Sequence, residues 1–258
     1  MGKLGGNIRG IRAATAIALV AGLAWLIVSH SFAGYFAETN PELALSLNPH
    51  QPMALVRLAK LRLAPLLERA DAADPARSDV ATRLSSFASH GSFATLQGGA
   101  QGDSSDRSSS IEAIRAEIRA FAERALAADP LNASALYMLG WSADAEGNPE
   151  RATRLMQAAV KRSFRETAAT YHLLLRNFEA QEHRQTLDYA DAILRTAPEM
   201  TRYVLPILAR LTEDESAKEL LEQRLAGNPP WRGTVLAGLP GAVTDARTPL
   251  NLLVALRD

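Results

Sequence analysis

The feature that most constrains the fold of this chain is a set of helix signals in its C-terminal half that recur about every 34 residues. Pro130 and Pro198 lie two such steps apart. Between them, Asn132 and Asn148 suit the N-cap of a helix, and a proline follows Asn148 at a first helical position. Gly147 suits the left-handed residue that ends a helix. This spacing predicts stacked pairs of short helices.

Residues 133–166 form the clearest unit of this spacing. Numbered from Ala133, its positions 4, 7, 8, 15, 20 and 27 are Leu136, Leu139, Gly140, Gly147, Ala152 and Ala159. This pattern resembles the tetratricopeptide repeat (TPR), a helix–turn–helix unit of about 34 residues. The segments 99–132 and 167–200 match in part, and a unit from Thr201 is more degenerate. The spacing Thr212-x-x-Glu215 predicts a capping box at the second helix of that unit. The resemblance implies protein binding on the concave face of a right-handed superhelix, and it does not imply catalysis.

Composition favours the same fold class. Alanine occurs 47 times and leucine 37 times, about a third of the chain, and both are strong helix formers. Valine, isoleucine and threonine are scarce after the N-terminal apolar stretch, which argues against long strands. We therefore expect an all-α protein with a TPR-like α-solenoid of helix–turn–helix repeats.

The N-terminus predicts a membrane segment. The 25 residues between Arg12 and Glu38 contain no charged side chain, and a membrane-spanning helix needs roughly 20. Residues 1–12 are a basic tail, and residues 13–37 are the expected transmembrane helix. By the positive-inside rule, the tail lies in the cytoplasm and the repeats lie across the membrane. For a bacterial envelope this means a single-pass inner-membrane protein with a periplasmic repeat domain.

Two alternatives to this anchor stay open. A cleaved signal peptide would also be apolar, and Ser31-Phe32-Ala33 offers small residues at the right offsets for cleavage before Gly34. The protein would then be secreted to the periplasm. A buried helix of the core is the other alternative.

The remainder divides into three segments. Residues 38–75 carry a helical pattern, a partial repeat in which Pro65 is expected to kink or divide a helix. Residues 76–110 form a linker or loop, since nine serines and four glycines fall between Ser85 and Ser110. Residues 111–258 form the TPR-like domain. It ends in an apolar helix from Thr248 onward without a polar cap, which predicts self-association or a partner there.

No constellation for chemistry is recognisable. Lysine plus arginine and aspartate plus glutamate each number 28, so net charge gives no argument for nucleic-acid binding. The chain has no cysteine, which excludes thiolate metal sites and thiol nucleophiles. Its five histidines show no metal-ligand spacing. We therefore expect a protein that is not an enzyme and that holds neither a cofactor nor a metal.

The TPR resemblance implies where a partner would bind. Positions 2, 5, 9 and 12 of the first helix line the groove of such units, and their aromatic members are Tyr137 and Trp141 in the first unit and Tyr171 and Phe178 in the next. Tyrosine and tryptophan are favoured at binding hot spots. The alternative is that these rings simply pack between repeats.

A basic cluster of Lys161, Arg162 and Arg165 follows the second helix of the clear unit. Such a cluster suits a carboxylate, a phosphate or an anionic lipid. The alternative is a solvated face whose cations complement a helix C-terminus.

These observations lead to one principal functional hypothesis. The layout resembles uncharacterised membrane-anchored TPR proteins of Gram-negative bacteria. It favours a membrane-tethered scaffold that binds an envelope protein or peptide in a groove. The alternative is an accessory subunit of surface-polysaccharide (exopolysaccharide) biosynthesis or export.

Overall fold

The computed structural model describes residues 4–73 and 104–243, and single positions at 247, 250, 252 and 254. Side chains are described for residues 17–66 and 111–243 and for the four single positions. Within these ranges the chain is all-helical and has no strand, as expected. The α-helices are α1 (Leu4–Thr39), α2 (Pro41–Leu47), α3 (Pro52–Ala73), α4 (Ser104–Ala128), α5 (Ala133–Ala145), α6 (Pro149–Arg162), α7 (Thr167–Glu179), α8 (His183–Thr196), α9 (Thr201–Leu211), α10 (Glu215–Ala226) and α11 (Arg232–Gly238).

Helix α1 is 36 residues long and confirms the expected apolar N-terminal helix. Its stretch Ile17–Thr39 is long and apolar enough to cross a membrane. Most of the large side chains described in this stretch lie in the open, and Leu19 is 74% exposed. Its last turns are covered: Ala33 and Ala37 are fully buried where α1 packs on α2 and α3.

Helix α3 runs through Pro65 without interruption, so this proline does not divide the helix, and the alternative of a kink stays a prediction. Proline removes one helical hydrogen bond by lacking an N–H. Pro65 lies on the exposed face, where water can bind the carbonyl that loses its donor. The fully buried Leu63, two residues earlier, keeps the helix attached to the core.

Helix α4 corrects the predicted boundary of the Ser/Gly-rich segment. It begins at Ser104, inside the predicted loop 76–110, and it packs along α3 with Ile118 fully buried between them. Residues 76–103 of that prediction lie outside the described residues. Helix α3 therefore supplies the first helix that segment 99–132 lacks in its own sequence.

The two units after α4 repeat with one period in the backbone. Helix α7 begins and ends one repeat length after α5, and α8 begins and ends one repeat length after α6. Helix α4 also ends one repeat length before the end of α6. Consecutive helices pack on one another from α3 to α8, allowing for the gap after α3. The predicted spacing thus appears in the helix bounds themselves.

The predicted N-caps of α5 and α6 are confirmed. Asn132 accepts a hydrogen bond from the Ala135 N–H at 3.0 Å, and Asn148 accepts one from the Arg151 N–H at 3.1 Å. Each amide satisfies a backbone donor that the first turn of a helix leaves without an internal acceptor.

The turn inside each pair uses a left-handed residue. Gly147 has a φ of +74°, as its position predicts. Gln181 has a φ of 59° and occupies the same position one repeat later. In both turns the following amide reaches back five residues: Asn148 N–H donates to the Ala143 carbonyl, and Glu182 N–H to the Asn177 carbonyl, each at 2.9 Å. The second unit therefore keeps the turn without its glycine.

The first pair is close-packed where small residues face each other. A Cβ added at Gly140 would lie 3.3 Å from the Ala152 carbonyl oxygen and 3.1 Å from Met156 Sδ. One repeat later these positions hold Leu174 and Thr186, both fully buried. The second pair therefore accommodates larger side chains in the same backbone arrangement.

The third pair departs from the predicted caps. The expected capping box from Thr212 to Glu215 is wrong, because Asp214 caps α10 by accepting from the Ser216 and Ala217 N–H groups. The Thr212 hydroxyl instead donates to the Ala209 carbonyl in the last turn of α9. Thr212 is the C-cap of α9, and α10 begins only at Glu215, so Asp214 holds the N-cap position.

The end of the chain closes the core of the last helices. Trp231 is 4% exposed and its Nε1 donates to Asp191 of α8 at 2.8 Å. The four single positions described after 243 are helical, and Leu252 among them is fully buried with the α8–α11 core. The rest of the predicted final helix lies outside the described residues.

Substitutions at the two left-handed turn residues should change the free energy of unfolding in opposite directions. Gly147→Ala should lower the free energy of unfolding by about 1 kcal/mol, since an added Cβ meets no atom within 4 Å and only backbone strain remains. Gln181→Gly should raise it by about 0.5 kcal/mol, because relief of strain outweighs the added entropy of the unfolded chain. Urea denaturation of the full-length protein in detergent, followed by circular dichroism, measures both.

Gly233→Ala is the matched control for this pair. It has equally open surroundings but ordinary backbone angles within α11, so it should stabilise by up to about 1 kcal/mol. Equal losses at Gly147 and Gln181 would contradict the shared turn geometry.

Candidate functional site

The four predicted groove aromatics do not share one surface. Tyr137 is 5% exposed and belongs to the core between α3 and α7, and Tyr171 is 2% exposed and belongs to the core of the later helices. Trp141 and Phe178 are half-buried and keep part of their rings at the surface. Position 5 of each first helix therefore packs between repeats, and the predicted contact with a partner remains a prediction for Trp141 and Phe178.

A cavity of about 830 Å³ lies where the end of α1 meets α3, α5 and α7. Its wall takes one residue from the last turn of α1, others from α3, and others from the starts of α5 and α7. The charged and polar side chains that the site offers include Glu38, Lys60, Ser134, Tyr137, Arg165 and Glu166. Two cations and two carboxylates therefore line one space.

A chain of hydrogen bonds crosses this wall and ties three helices together. Lys60 Nζ of α3 donates to Ser134 Oγ of α5 at 3.3 Å. The Ser134 hydroxyl donates to Glu166 Oε2 at 2.5 Å, just before α7. Glu166 occupies the N-cap position of α7 but makes no capping hydrogen bond with its side chain. Its carboxylate is therefore directed at α5 rather than at its own helix.

Tyr137 places a neutral phenol in this wall. Burial raises its pKa well above the ordinary value, and the negative charge of Glu166 raises it further. The side chain thus stays protonated across the physiological pH range and acts as a hydrogen-bond donor rather than as a base.

The chemistry that these groups offer is recognition of charge. Ammonium and guanidinium groups bind phosphate or carboxylate, and carboxylates bind ammonium. Within residues 17–66 and 111–243, no cluster of three or more histidine and acidic side chains could hold a metal ion.

An ion pair joins α5 to α7, the helices that carry Trp141 and Phe178. Arg176 of α7 lies 3.7 Å from Asp144 of α5, and both side chains remain more than a third exposed. An exposed pair of this kind contributes at most about 1 kcal/mol. It is a weak link between the two helices at the protein surface.

His172 lies beside that ion pair with its Nε2 atom buried and without a hydrogen bond to any described residue. Burial lowers its pKa, and Arg176 adds to that effect, while Asp144 and Glu179 oppose it. The imidazole is therefore neutral at pH 7.

The basic cluster divides in the structure. Lys161 and Arg162 are exposed at the end of α6, which agrees with cations that complement a helix C-terminus. Arg165 is also exposed but lines the cavity. Only this member of the cluster takes part in the site.

A smaller cavity of about 280 Å³ near the end of the chain is lined by Arg184, Arg195 and Arg224. Two of these arginines already have partners: Arg195 pairs with Asp191, which also accepts from Trp231, and Arg224 pairs with Asp188. This network joins α8 to α10 and to the start of α11, and its role is structural.

Sequence patterns did not point to Lys60 or Glu166. Glu166 lies one repeat length after the capping Asn132, so a glutamate replaces the cap residue in the repeat register. This replacement could have identified Glu166 as a residue with a role other than capping. No sequence pattern could have identified Lys60, since its partner Ser134 is 74 residues away.

Comparison of the chain with known protein families, with curated proteins and with solved structures found no match.

The buried His172 predicts an acid sensitivity with a definite sign. Its pKa in the folded state lies below the unfolded value near 6.5, so the unfolded chain takes up the proton first. Stability should fall as the pH drops from 7 to 5, and His172→Gln should reduce that fall. The free energy of unfolding at both pH values, from urea denaturation, measures it.

The exposed His50 provides the matched control, and His50→Gln should leave the pH dependence unchanged. The pKa of the capping carboxylate Asp214 is lowered, mainly by its hydrogen bond from Ser216. Protonation of Asp214 therefore lowers the free energy of unfolding only below about pH 4, outside the range of this measurement. If the free energy of unfolding of His172→Gln falls between pH 7 and pH 5 as much as that of the unchanged protein, His172 is not the group responsible.

Proposed function

We propose that this protein is a membrane-tethered scaffold that binds a partner protein or peptide on the surface formed by α5 and α7. The observation that carries the proposal is the exposed apolar helix α1, whose last turns pack on α2 and α3 and so join it to the helical core. The repeat register shared by α5–α8 supports the TPR-like interpretation of those pairs.

The exposure of α1 favours lipid as its environment. Trp25 is 70% and Leu26 is 66% exposed, within a run of large apolar side chains that no other described residue covers. Burial in hydrocarbon is favourable by about 25 cal/mol for each Å² of apolar surface removed from water. A patch of this extent on a soluble protein marks an interaction site.

The junction between α1 and the repeats favours a retained anchor over a cleaved signal. Cleavage before Gly34 would cut α1 within its docked end and remove Ala33, which is fully buried. It would also remove His30, whose Nδ1 lies 3.3 Å from Asn48 Nδ2. Basic residues at the N-terminus then support a cytoplasmic tail and a periplasmic repeat domain.

The partner surface proposed here is smaller than the predicted groove. Trp141 of α5 and Phe178 of α7 each keep part of a ring at the surface, the Asp144–Arg176 pair joins the same two helices, and Tyr137 and Tyr171 are buried in the core. A half-buried aromatic ring bordered by charged groups is typical of a binding hot spot with a polar rim.

Tethering supplies the mechanism. A binding surface fixed to the membrane meets membrane partners at a raised effective concentration, so modest affinity suffices. An accessory role in polysaccharide assembly would be one instance of such a scaffold, recognised by the identity of the partner.

The proposed topology can be tested by cysteine labelling, because the chain has no native cysteine. In cells with a permeabilised outer membrane, Gln157→Cys should react with a membrane-impermeant maleimide. Asn7→Cys should react only after the inner membrane is dissolved. Retention of an N-terminal tag on the full-length band, with resistance to alkaline extraction, should confirm the anchor. Loss of the tag or the reverse labelling pattern would contradict it.

The proposed surface can be tested by photo-crosslinking in cells. A photoreactive residue at position 141 or 178 should capture one dominant envelope protein, identified by mass spectrometry. The same residue at the exposed position Gln157, on the second helix of the first pair, is the matched control and should capture none of it. Equal capture from all three positions would overturn the surface. A polysaccharide synthase or exporter as the captured protein would favour the accessory role.

A further inference from the structure

We propose that the cavity between α1, α3, α5 and α7 binds the headgroup of a phospholipid of the ethanolamine type. The inference rests on the membrane anchor of the proposed function. It assigns to the protein a lipid-binding site that is separate from the partner surface.

The position of the cavity supports a lipid. Glu38 is the first charged residue after the apolar stretch of α1, and its side chain lines the cavity. If α1 spans the membrane, Glu38 lies at the level of the headgroups. Tyr35, 76% exposed three residues earlier, suits the interface just below.

The charges in the wall match a zwitterion. Lys60 and Arg165 suit the phosphate, and Glu38 and Glu166 suit the ammonium group. A purely anionic headgroup would leave both carboxylates near its negative charge, and a simple cation would leave the two basic groups unpaired. Such unpaired charge weakens binding most at the half-buried Lys60 and Glu166 and less at the exposed Glu38 and Arg165.

The groups retain free bonding capacity despite their contacts with each other. Lys60 Nζ has three N–H donors and uses one on Ser134. The Glu166 carboxylate accepts from Ser134 through one oxygen and can accept further hydrogen bonds. Tyr137, 5% exposed and kept neutral by burial, offers a phenolic donor in the same wall.

The same wall favours ethanolamine over choline. A primary ammonium carries three N–H donors that carboxylates can accept, whereas a quaternary ammonium has none. Met53 also lines the cavity and is 52% exposed, which provides apolar contact for the glycerol and the start of the acyl chains.

The test uses full-length protein in nanodiscs that contain equal fractions of ethanolamine, choline and glycerol phospholipids. Lipids retained on the protein are counted by native mass spectrometry. We expect ethanolamine lipid to be enriched about tenfold over each of the others, which corresponds to one good charge-assisted contact. Equal retention of the three lipids, or preference for the anionic glycerol lipid, would overturn the proposal.

Variants locate the binding. Lys60→Met and Glu166→Gln should each abolish most of the enrichment, and both replacements preserve side-chain size. Lys161→Met and Glu182→Gln are the matched controls and should keep it: Lys161 is exposed outside the cavity, and Glu182 holds the N-cap position of α8 without capping. If a cavity variant fails to fold by circular dichroism, the exposed Arg165→Met replaces it. Enrichment unchanged in folded cavity variants would overturn the site.

Two further arms identify the source of the ligand and separate this inference from the proposed function. Soluble glycerophosphoethanolamine shares the headgroup chemistry, and it should displace the lipid only weakly. Binding as tight as that of the lipid would overturn a membrane source for the ligand. A chain that does not enter nanodiscs contradicts the proposed function, whereas one that enters and retains lipids without selectivity contradicts only this inference.

Discussion

The structure depends on the burial of each short helix against its neighbours in sequence. Helices α5–α8 have 13 or 14 residues, a length at which an isolated helix is marginal in water. Their stability must come from contacts such as Gly140 against Ala152, where the absence of a side chain lets two backbones approach. A change there should act first on α5 and α6, and then on α4 and α7, which pack on this pair.

The features that the sequence predicts correctly are those that depend on residues close together in the chain. The caps at Asn132 and Asn148 and the turn at Gly147 depend on residues within one turn, and all three are confirmed. The predictions that Pro65 divides α3 and that Thr212 caps α10 are wrong. The effect of Pro65 depends on its exposure, and the role of Thr212 depends on where α10 begins, and a residue pattern shows neither. The cavity could not be predicted from the sequence, because the hydrogen bond from Lys60 joins α3 to a residue 74 positions later.

The burial of Tyr137 and Tyr171 shows why repeat position alone does not define a binding surface. The register correctly places both rings at equivalent points of α5 and α7. Whether such a ring faces a partner or a neighbouring helix depends on how closely the next helix approaches. Here both rings are in the core, so Trp141 and Phe178 are left as the aromatic side chains that a partner can reach on these two helices.

If α1 is the membrane anchor that we propose, its junction with α2 and α3 makes the tether rigid. Only Asn40 separates α1 from α2, and the fully buried Ala37, Ala44 and Ala54 pack the three helices together. A flexible linker would let the repeats sample all orientations above the membrane, whereas this junction holds them in one. The surface around Trp141 would then lie at a fixed height and angle to the bilayer, so selectivity for a partner includes that partner's own geometry at the membrane.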